Sequence, residues 1–567
     1  MRFSTLAGAV AMAAPALGRE MPKDEARGRD LYDSGIIHEE LMGKKMAHWK
    51  EEEEAGLMDS SQHPRLNYTK CINGVAEAIP GNPLYTFKCK NIDLYDFLSH
   101  DALGAPSADY RGKSGSSSWG WVDEESGREF IATGMYDGVG FIEVLPEGRM
   151  LSLGFLPKFA PLSDRAYWTE IRSYKHYMVI GSELEGNGVQ IFDMKKLLDI
   201  APEDAPKRFS NDADLTSHFN TSLPLGRAHN VHVNEEAQYG VAVGAAPRTV
   251  GCMGGLVFFN LEDPSNPEYL GCDGSDGYVH DVQCLIYRGP DSRYDGKDIC
   301  YGYNEDTLTI YDVTDKKNSK LVSRTSYEGA SYTHQGTVND INWQEYIFMD
   351  DEYDEYDVVG PALDGYPVTY VWDISDLEAP KQTGLFKHNV VGVDHNQYMS
   401  IDGQKLIQSC YGAGMRIFDV SSVVSGEDTS GDSVCETAFF DIYPEDDDLP
   451  GGGGIAFSGS WSSYGQLPSG YMFINTIERG GYLVKVTKEE SCPKKHACNA
   501  DNCLRAMRAN SIEGRLEESQ EFCGDFLDGW NADVAAVPTY LKKACPTNVI
   551  SRVSSACSCL PTAEPTA

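Results

Sequence analysis

"LTIYDVTDKKNSKLVS" (Leu308–Ser323) holds two strands and the turn between them. Apolar and polar residues alternate from Leu308 to Val313, the period of a half-buried β-strand. Asp312 closes the alternation, and Asn318 stops the chain in a turn before the next strand begins. The first part recurs along the chain as GVGFIEV (138–144), GVQIFDM (188–194), GLVFFNL (255–261), TYVWDI (369–374) and MRIFDV (415–420), with a degenerate copy GYLVKV (481–486). Three copies run on into comparable turns, EDPSNPEYLG, TDKKNSKLVS and SDLEAPKQTG. Upstream of each copy there is room for a further strand pair, so each unit has the length of about four strands. Seven four-stranded units arranged radially make a β-propeller, in which every sheet buries its faces against its neighbours. An open β-solenoid is the rival arrangement. The propeller is preferred because the unit is long and seven copies suffice to close a ring.

Composition agrees with strands and turns. The 567 residues are too many for one compact core, and Gly (56) and Tyr (31) are plentiful. The net charge of −38 disfavours nucleic acid and anionic membrane surfaces as partners and favours cations. Met-Arg followed by an apolar stretch from Leu6 to Leu17 predicts a secretory signal over 1–18, too short to span a bilayer. No later stretch predicts a membrane anchor, and the sequons at Asn67 and Asn220 suit a secreted route. The next segment, 19–66, interleaves charged residues at helical spacing in SGIIHEELMGKKMAHWKEEEEAGLM, predicting a helix packed outside the propeller or left free. The propeller is expected over 67–490 and a Cys-rich module over 491–567.

Fifteen cysteines in a secreted chain predict disulfides. Proximity suggests Cys71/Cys89, Cys252/Cys272, Cys284/Cys300 and Cys410/Cys435, and seven more crowd the tail. The odd total leaves at least one thiol unpaired or bonded to another chain.

The blocks GYVHDVQCLIYRGPDSRYDGKDICYGYNEDTLTIYDVTD, YTHQG and DHNQYMS, with the repeated I-F-D-V strands, resemble LVIVD-repeat proteins of the choice-of-anchor B family, over about residues 67–487. That resemblance implies a secreted propeller and carries over no catalytic residues. CNADNCLRAMRA, Cys523, Cys545 and VSSACSCL are similar to a Cys-rich module of secreted fungal proteins. Six cysteines fit that module, with Cys492 as the extra one.

Counting back from each repeat sets Trp119, Trp168, His229, His280, His334, His395 and Trp461 at equivalent strand starts, where inner strands line a propeller's tunnel. Four consecutive members are His, each followed by an amide or carboxylate (Asn230, Asp281, Gln335, Asn396). A single His at such a place is ordinarily structural, tied to inner-strand carbonyls. Four on one arc predict a site for a divalent or transition metal, with His229, His280, His334 and His395 as ligands. The returning strands bring acidic loops to the same face: Glu183 and Glu185, then Asn304, Glu305 and Asp306, then Asp350, Asp351 and Glu352. From these and the inner strands, Glu170, Asp281, Glu305, Asp351 and Glu352 are candidates to line the mouth or orient the imidazoles. Metal-dependent oxidative or hydrolytic chemistry is one reading. The other is a non-catalytic extracellular platform, with Trp119, Trp168 and Trp461 stacking on a carbohydrate, peptide or cell-wall ligand. No nucleotide cofactor is indicated: GGGG (451–454) lacks the Lys-Ser/Thr of a phosphate loop. The run DDEYDEYD (350–357) lacks the spacing of a helix-loop-helix calcium loop and reads as a cation site or a solvated acidic loop.

Overall fold

The computed structural model describes residues 19–105, 114–163, 165–493 and parts of 502–560; the predicted signal segment and Cys498 lie outside the described residues. Seven sheets, antiparallel except for one short parallel edge strand (Lys207–Arg208), stand around a central tunnel. Blade 1 is built from Gly115–Val122, Glu129–Met135, Gly138–Val144 and Met150–Pro157. Blades 2 to 6 begin with inner strands Thr169–Tyr174, Asn230–Asn234, Asp281–Ile286, Thr333–Val338 and Gln397–Met399. Blade 7 has three strands from the C-terminal end of the propeller, Ser460–Tyr464, Tyr471–Thr476 and Gly480–Val486. Its fourth strand is Ile92–Ser99, antiparallel to Gly480–Val486, so the start of the propeller closes the ring against its end. This closure leaves no solenoid edge.

In five of the repeats the acidic or amide residue that ends the strand has a local cause. The side-chain oxygens of Asp193, Asn260, Asp312, Asp373 and Asp419 each accept from the backbone N–H two residues on, at 2.8 to 3.2 Å. A short Asx side chain that caps its own turn terminates the strand at a fixed place. The turn that follows uses the same device at Asp263, Asp315 and Asp376. Between the blades, inward faces of adjacent sheets interlock: Tyr301, Ile310, Ile347 and Trp372 form one such seam and are fully buried. Among the described residues no helix is long and apolar enough to cross a membrane.

Cys71–Cys89, Cys252–Cys272 and Cys284–Cys300 are bonded. The expected Cys410–Cys435 pair is not formed. Cys435 bonds Cys492, beyond the last blade, and Cys410 is a free, buried thiol beside His388. Sequence proximity misled because Cys410 ends an inner-blade strand, whereas Cys435 begins an outer one, where the chain after blade 7 passes. Cys492 is therefore not a spare of the tail. The tail is a separate compact unit, Pro493–Ala567, held by Cys503–Cys545 and Cys523–Cys557.

The N-terminal extension is neither outside nor free. Ile36–Glu54 is a helix lying across one mouth of the tunnel. His38, Leu41, Met42, Lys45, Trp49 and Glu52 make a single buried stripe at helical spacing. Glu20–Pro22 adds a strand to the outer edge of blade 4.

Candidate metal centre

Beneath that helix lie four imidazoles in a row. His229 and His280 immediately precede their inner strands, His334 is the second residue of its strand, and His395 lies just before Gln397. Successive ring centres are 4.3, 4.5 and 4.5 Å apart, and all four rings are buried. With Trp168, Thr169, Glu170, Asn230, Asn396 and Trp461 they enclose a cavity of about 10 Å³, the room for a single water-sized body.

Each imidazole has one nitrogen already committed. His280 Nδ1 donates to the His334 carbonyl at 2.8 Å, and His395 Nδ1 to the Trp461 carbonyl at 2.7 Å. His229 Nδ1 meets Glu183 Oε1 at 2.6 Å, and His334 Nδ1 meets Asp350 Oδ1 at 3.2 Å. The two carbonyls only accept, Glu183 is held below the ordinary carboxylate range, and Asp350 Oδ1, although burial pushes that carboxyl up, already accepts from the Gln335 N–H, so each Nδ1 is assigned the N–H and each Nε2 the lone pair. A tautomer fixed in this way is how proteins prepare a histidine to bind metal. Burial also holds His280, His334 and His395 below the ordinary histidine range, His334 at about 4.

Glu352, just past the second strand of blade 5, completes the set. Its Oε1 accepts from Lys45 Nζ and from the Tyr411 hydroxyl, both at 2.5 Å, and lies 3.4 Å from His395 Nε2. Its Oε2 is buried without a hydrogen-bond partner and lies 3.9 Å from His334 Nε2. Burial opposes its charge, but Lys45 beside it holds the carboxyl well below the ordinary range. His280, His334 and Glu352 offer ligand atoms all within 4.8 Å of one another. Two imidazoles and a carboxylate suit zinc and first-row transition metals, and not a cage of oxygens for calcium. His229 and His395 flank this triad on either side.

Of the other candidate residues, Glu170 lines the cavity and the rest fall elsewhere. Glu183 and Asp350, from the acidic loops, orient the histidines, whereas Glu170, Asp281, Glu305 and Asp351 do not. Glu170 is ion-paired with Arg172, Glu305 is forked by Arg248 at 2.7 and 2.8 Å, and Asp351 accepts from the Tyr327 hydroxyl and the Ser331 and Tyr332 N–H groups. Asp281 faces the tunnel below the ring beside Arg172, and burial pushes it up to about 7. The 350–357 run is not a solvated loop: Asp350, Asp351, Glu352, Asp354 and Glu355 are all fully buried.

All three Trp assignments change. Trp168 and Trp461 do sit on the ring, but Trp49 of the helix covers both, with ring centres at 5.7 and 6.1 Å, so neither offers an open stacking face. Trp119 is not on the ring. In blade 5 the pairing skips from Thr333 to Gly336 and lifts His334 out of register, and blade 1 skips from Gly115 to Ser118 in the same way. The ring position of blade 1 therefore falls at Ser116, and Trp119 stands at the opposite mouth.

The helix reaches the centre at three more points that the sequence did not suggest. His38 Nδ1 is 2.7 Å from the Tyr332 hydroxyl, Trp49 Nε1 donates to the Phe457 carbonyl, and His48 Nε2 is 2.6 Å from Ser458 Oγ. Only the repeat register marks residues as tunnel-facing, and the helix has no repeat.

No protein-family model matches the chain, and no curated protein matches it. Among solved structures it is similar to the C-terminal WD40 domain of Sif2, at 10% identity and a TM-score of 0.39, over 75% of this chain and 97% of that one. A putative 6-phosphogluconolactonase of Bacteroides fragilis aligns at 11% identity and a TM-score of 0.39, over 68% of this chain and 97% of its own. One of Bacteroides uniformis aligns at 13% and 0.40, over 66% and 95%.

Proposed function

We propose that this chain is an extracellular propeller of the LVIVD-repeat type that holds one transition-metal ion at the helix-covered mouth of its tunnel. The ligands are His280 Nε2, His334 Nε2 and Glu352 Oε2, with His229 and His395 able to join them. The observation that carries this is the set of four Nδ1–H groups all tied to acceptors. A purely structural tunnel would pair both nitrogens, whereas this one turns four lone pairs and an unpartnered carboxylate oxygen toward one another. Acceptors facing acceptors without a proton or cation between them repel. With the helix in place there is room for an ion and not for a substrate, so the centre works as a closed site until the helix lifts. Secretion is supported by the disulfides and by the exposure of both sequon asparagines, Asn67 and Asn220.

Elemental analysis of protein purified without a chelating tag, then reconstituted separately with zinc, copper, iron and manganese, tests the proposal. One ion per chain is expected for at least one metal, and its loss in His280→Ala/His334→Ala with far-ultraviolet dichroism unchanged. Substoichiometric metal in every case overturns it.

A further inference from the structure

The other end of the tunnel is a blind funnel of about 840 Å³, a volume typical of small-molecule sites. Behind its inner end the buried Arg172 guanidinium, paired to Glu170, lies 4.5 Å from the centre of the Trp119 ring and 5.5 Å from that of Tyr398. The floor is aromatic: Trp119 meets Tyr398 edge-on at 5.2 Å and Tyr464 at 5.3 Å. The walls include Ile341 and Ile401, 56% and 68% exposed. The rim has the opposite character. Glu235, Glu236, Asp340 and Asp402 line it with one base, Arg288, which forks Glu236 at 2.7 and 2.9 Å. Asp340 accepts only from the Asn342 N–H, and Asp402 from the Ser400 hydroxyl and the Gln404 N–H, so neither charge is neutralised by a base.

We infer that this funnel is a binding site for a small organic cation with an apolar body, an alkyl- or arylammonium. The acidic rim draws in and holds the charge while the body lies on the aromatic floor. An anion meets the rim and the −38 charge of the whole chain. A neutral apolar molecule gains the floor alone. The inference does not depend on the metal centre, which lies at the opposite mouth.

Titration calorimetry with benzyltrimethylammonium, against benzyl alcohol as the neutral counterpart, tests it. The cation should bind at one site per chain and at least about tenfold more tightly than the alcohol. Asp340→Asn/Asp402→Asn, two exposed side chains remote from the core, should weaken it at least about fivefold. Added salt should weaken it further. Absence of saturable binding up to about 10 mM, or an affinity that the double variant leaves unchanged, overturns the inference.

Discussion

Glu352 does two jobs with two oxygens. Oε1 neutralises Lys45 inside the protein, and Oε2 faces the histidines. Glu352→Gln keeps the shape and removes the charge, so Lys45 is left buried without a counter-ion. Removing one partner of a buried ion pair costs about 3–5 kcal/mol, whereas replacing both with apolar groups is close to neutral. Denaturant unfolding of metal-free protein should therefore show Glu352→Gln destabilised by roughly 3 kcal/mol, with most of it regained in Glu352→Gln/Lys45→Met. Neither variant should recover tight metal binding, because the ligand oxygen carries no charge in both. A single variant as stable as the parent would mean that Lys45 is neutral in the folded protein. At this scale the sequence was informative where a repeat imposed register: four His at one strand start could be found by counting. Glu183, Asp350 and Glu352 could not be separated from their acidic neighbours, because which carboxylate of a loop turns inward depends on packing. Trp119 was misplaced because the strand irregularity that sets the ring position in blade 1 falls on plain serines.

The helix Ile36–Glu54 is the element least legible beforehand. Its buried stripe mixes His38, Lys45 and Glu52 with Leu41, Met42 and Trp49, so the segment lacks the continuous apolar face that marks a packed helix. The tunnel mouth it covers is polar too, and the two match by ion pairs and hydrogen bonds as well as by Trp49. That Trp is about 1% exposed and anchors the helix on Trp168 and Trp461. Trp49→Ala removes about 3–5 kcal/mol of packing from one side of the contact, enough to lift the helix while the blades stay closed. Metal-loaded Trp49→Ala should release its ion to a chelator at least about tenfold faster than the parent, with its equilibrium stoichiometry kept. Equal release rates would show that the helix is not the barrier. The Cys435–Cys492 bond acts on the other side of the ring, tying the segment after blade 7 to the outer strand of blade 6. Serine at both positions should lower the melting temperature without altering metal release, since neither residue touches the covered mouth.

At the scale of the whole molecule the fold follows from the repeats, because six strand-ending Asx or acidic positions and a degenerate seventh copy leave few other ways to hide seven sheets. What the repeats do not reveal is how much charge closure buries. Burial pushes Asp281 and Asp306 up to about 7, against about 3.9 in an unfolded chain. Between pH 6.5 and 8 the unfolded chain has already ionised both, while the folded protein is still giving up their protons. For these two groups the folded state then binds more protons, and their contribution to stability falls as pH rises. Buried histidines oppose this in the same window. His63 and His334, held at about 4, and His232 and His388, at about 3, are neutral in the folded protein there, whereas the unfolded chain still protonates each by about half at pH 6.5, so each returns about 0.4 kcal/mol between pH 6.5 and 8. Below pH 6.5 they continue in that sense: the unfolded chain takes up protons that these four refuse, so stability is lost as pH falls from 6.5 toward 4. Each of the two carboxyls contributes just under about 1 kcal/mol of loss between pH 6.5 and 8. Because the histidines are common to both proteins, calorimetry of metal-free protein should show Asp281→Asn/Asp306→Asn gaining on the parent by about 1.5 kcal/mol, or about 1–3 °C, between pH 6.5 and pH 8. The variant should keep the decline at acid pH. A difference between variant and parent that stays constant from pH 6.5 to 8 would mean that both carboxyls are ionised in the folded ring, and that Arg172 and Lys23 neutralise them despite their burial.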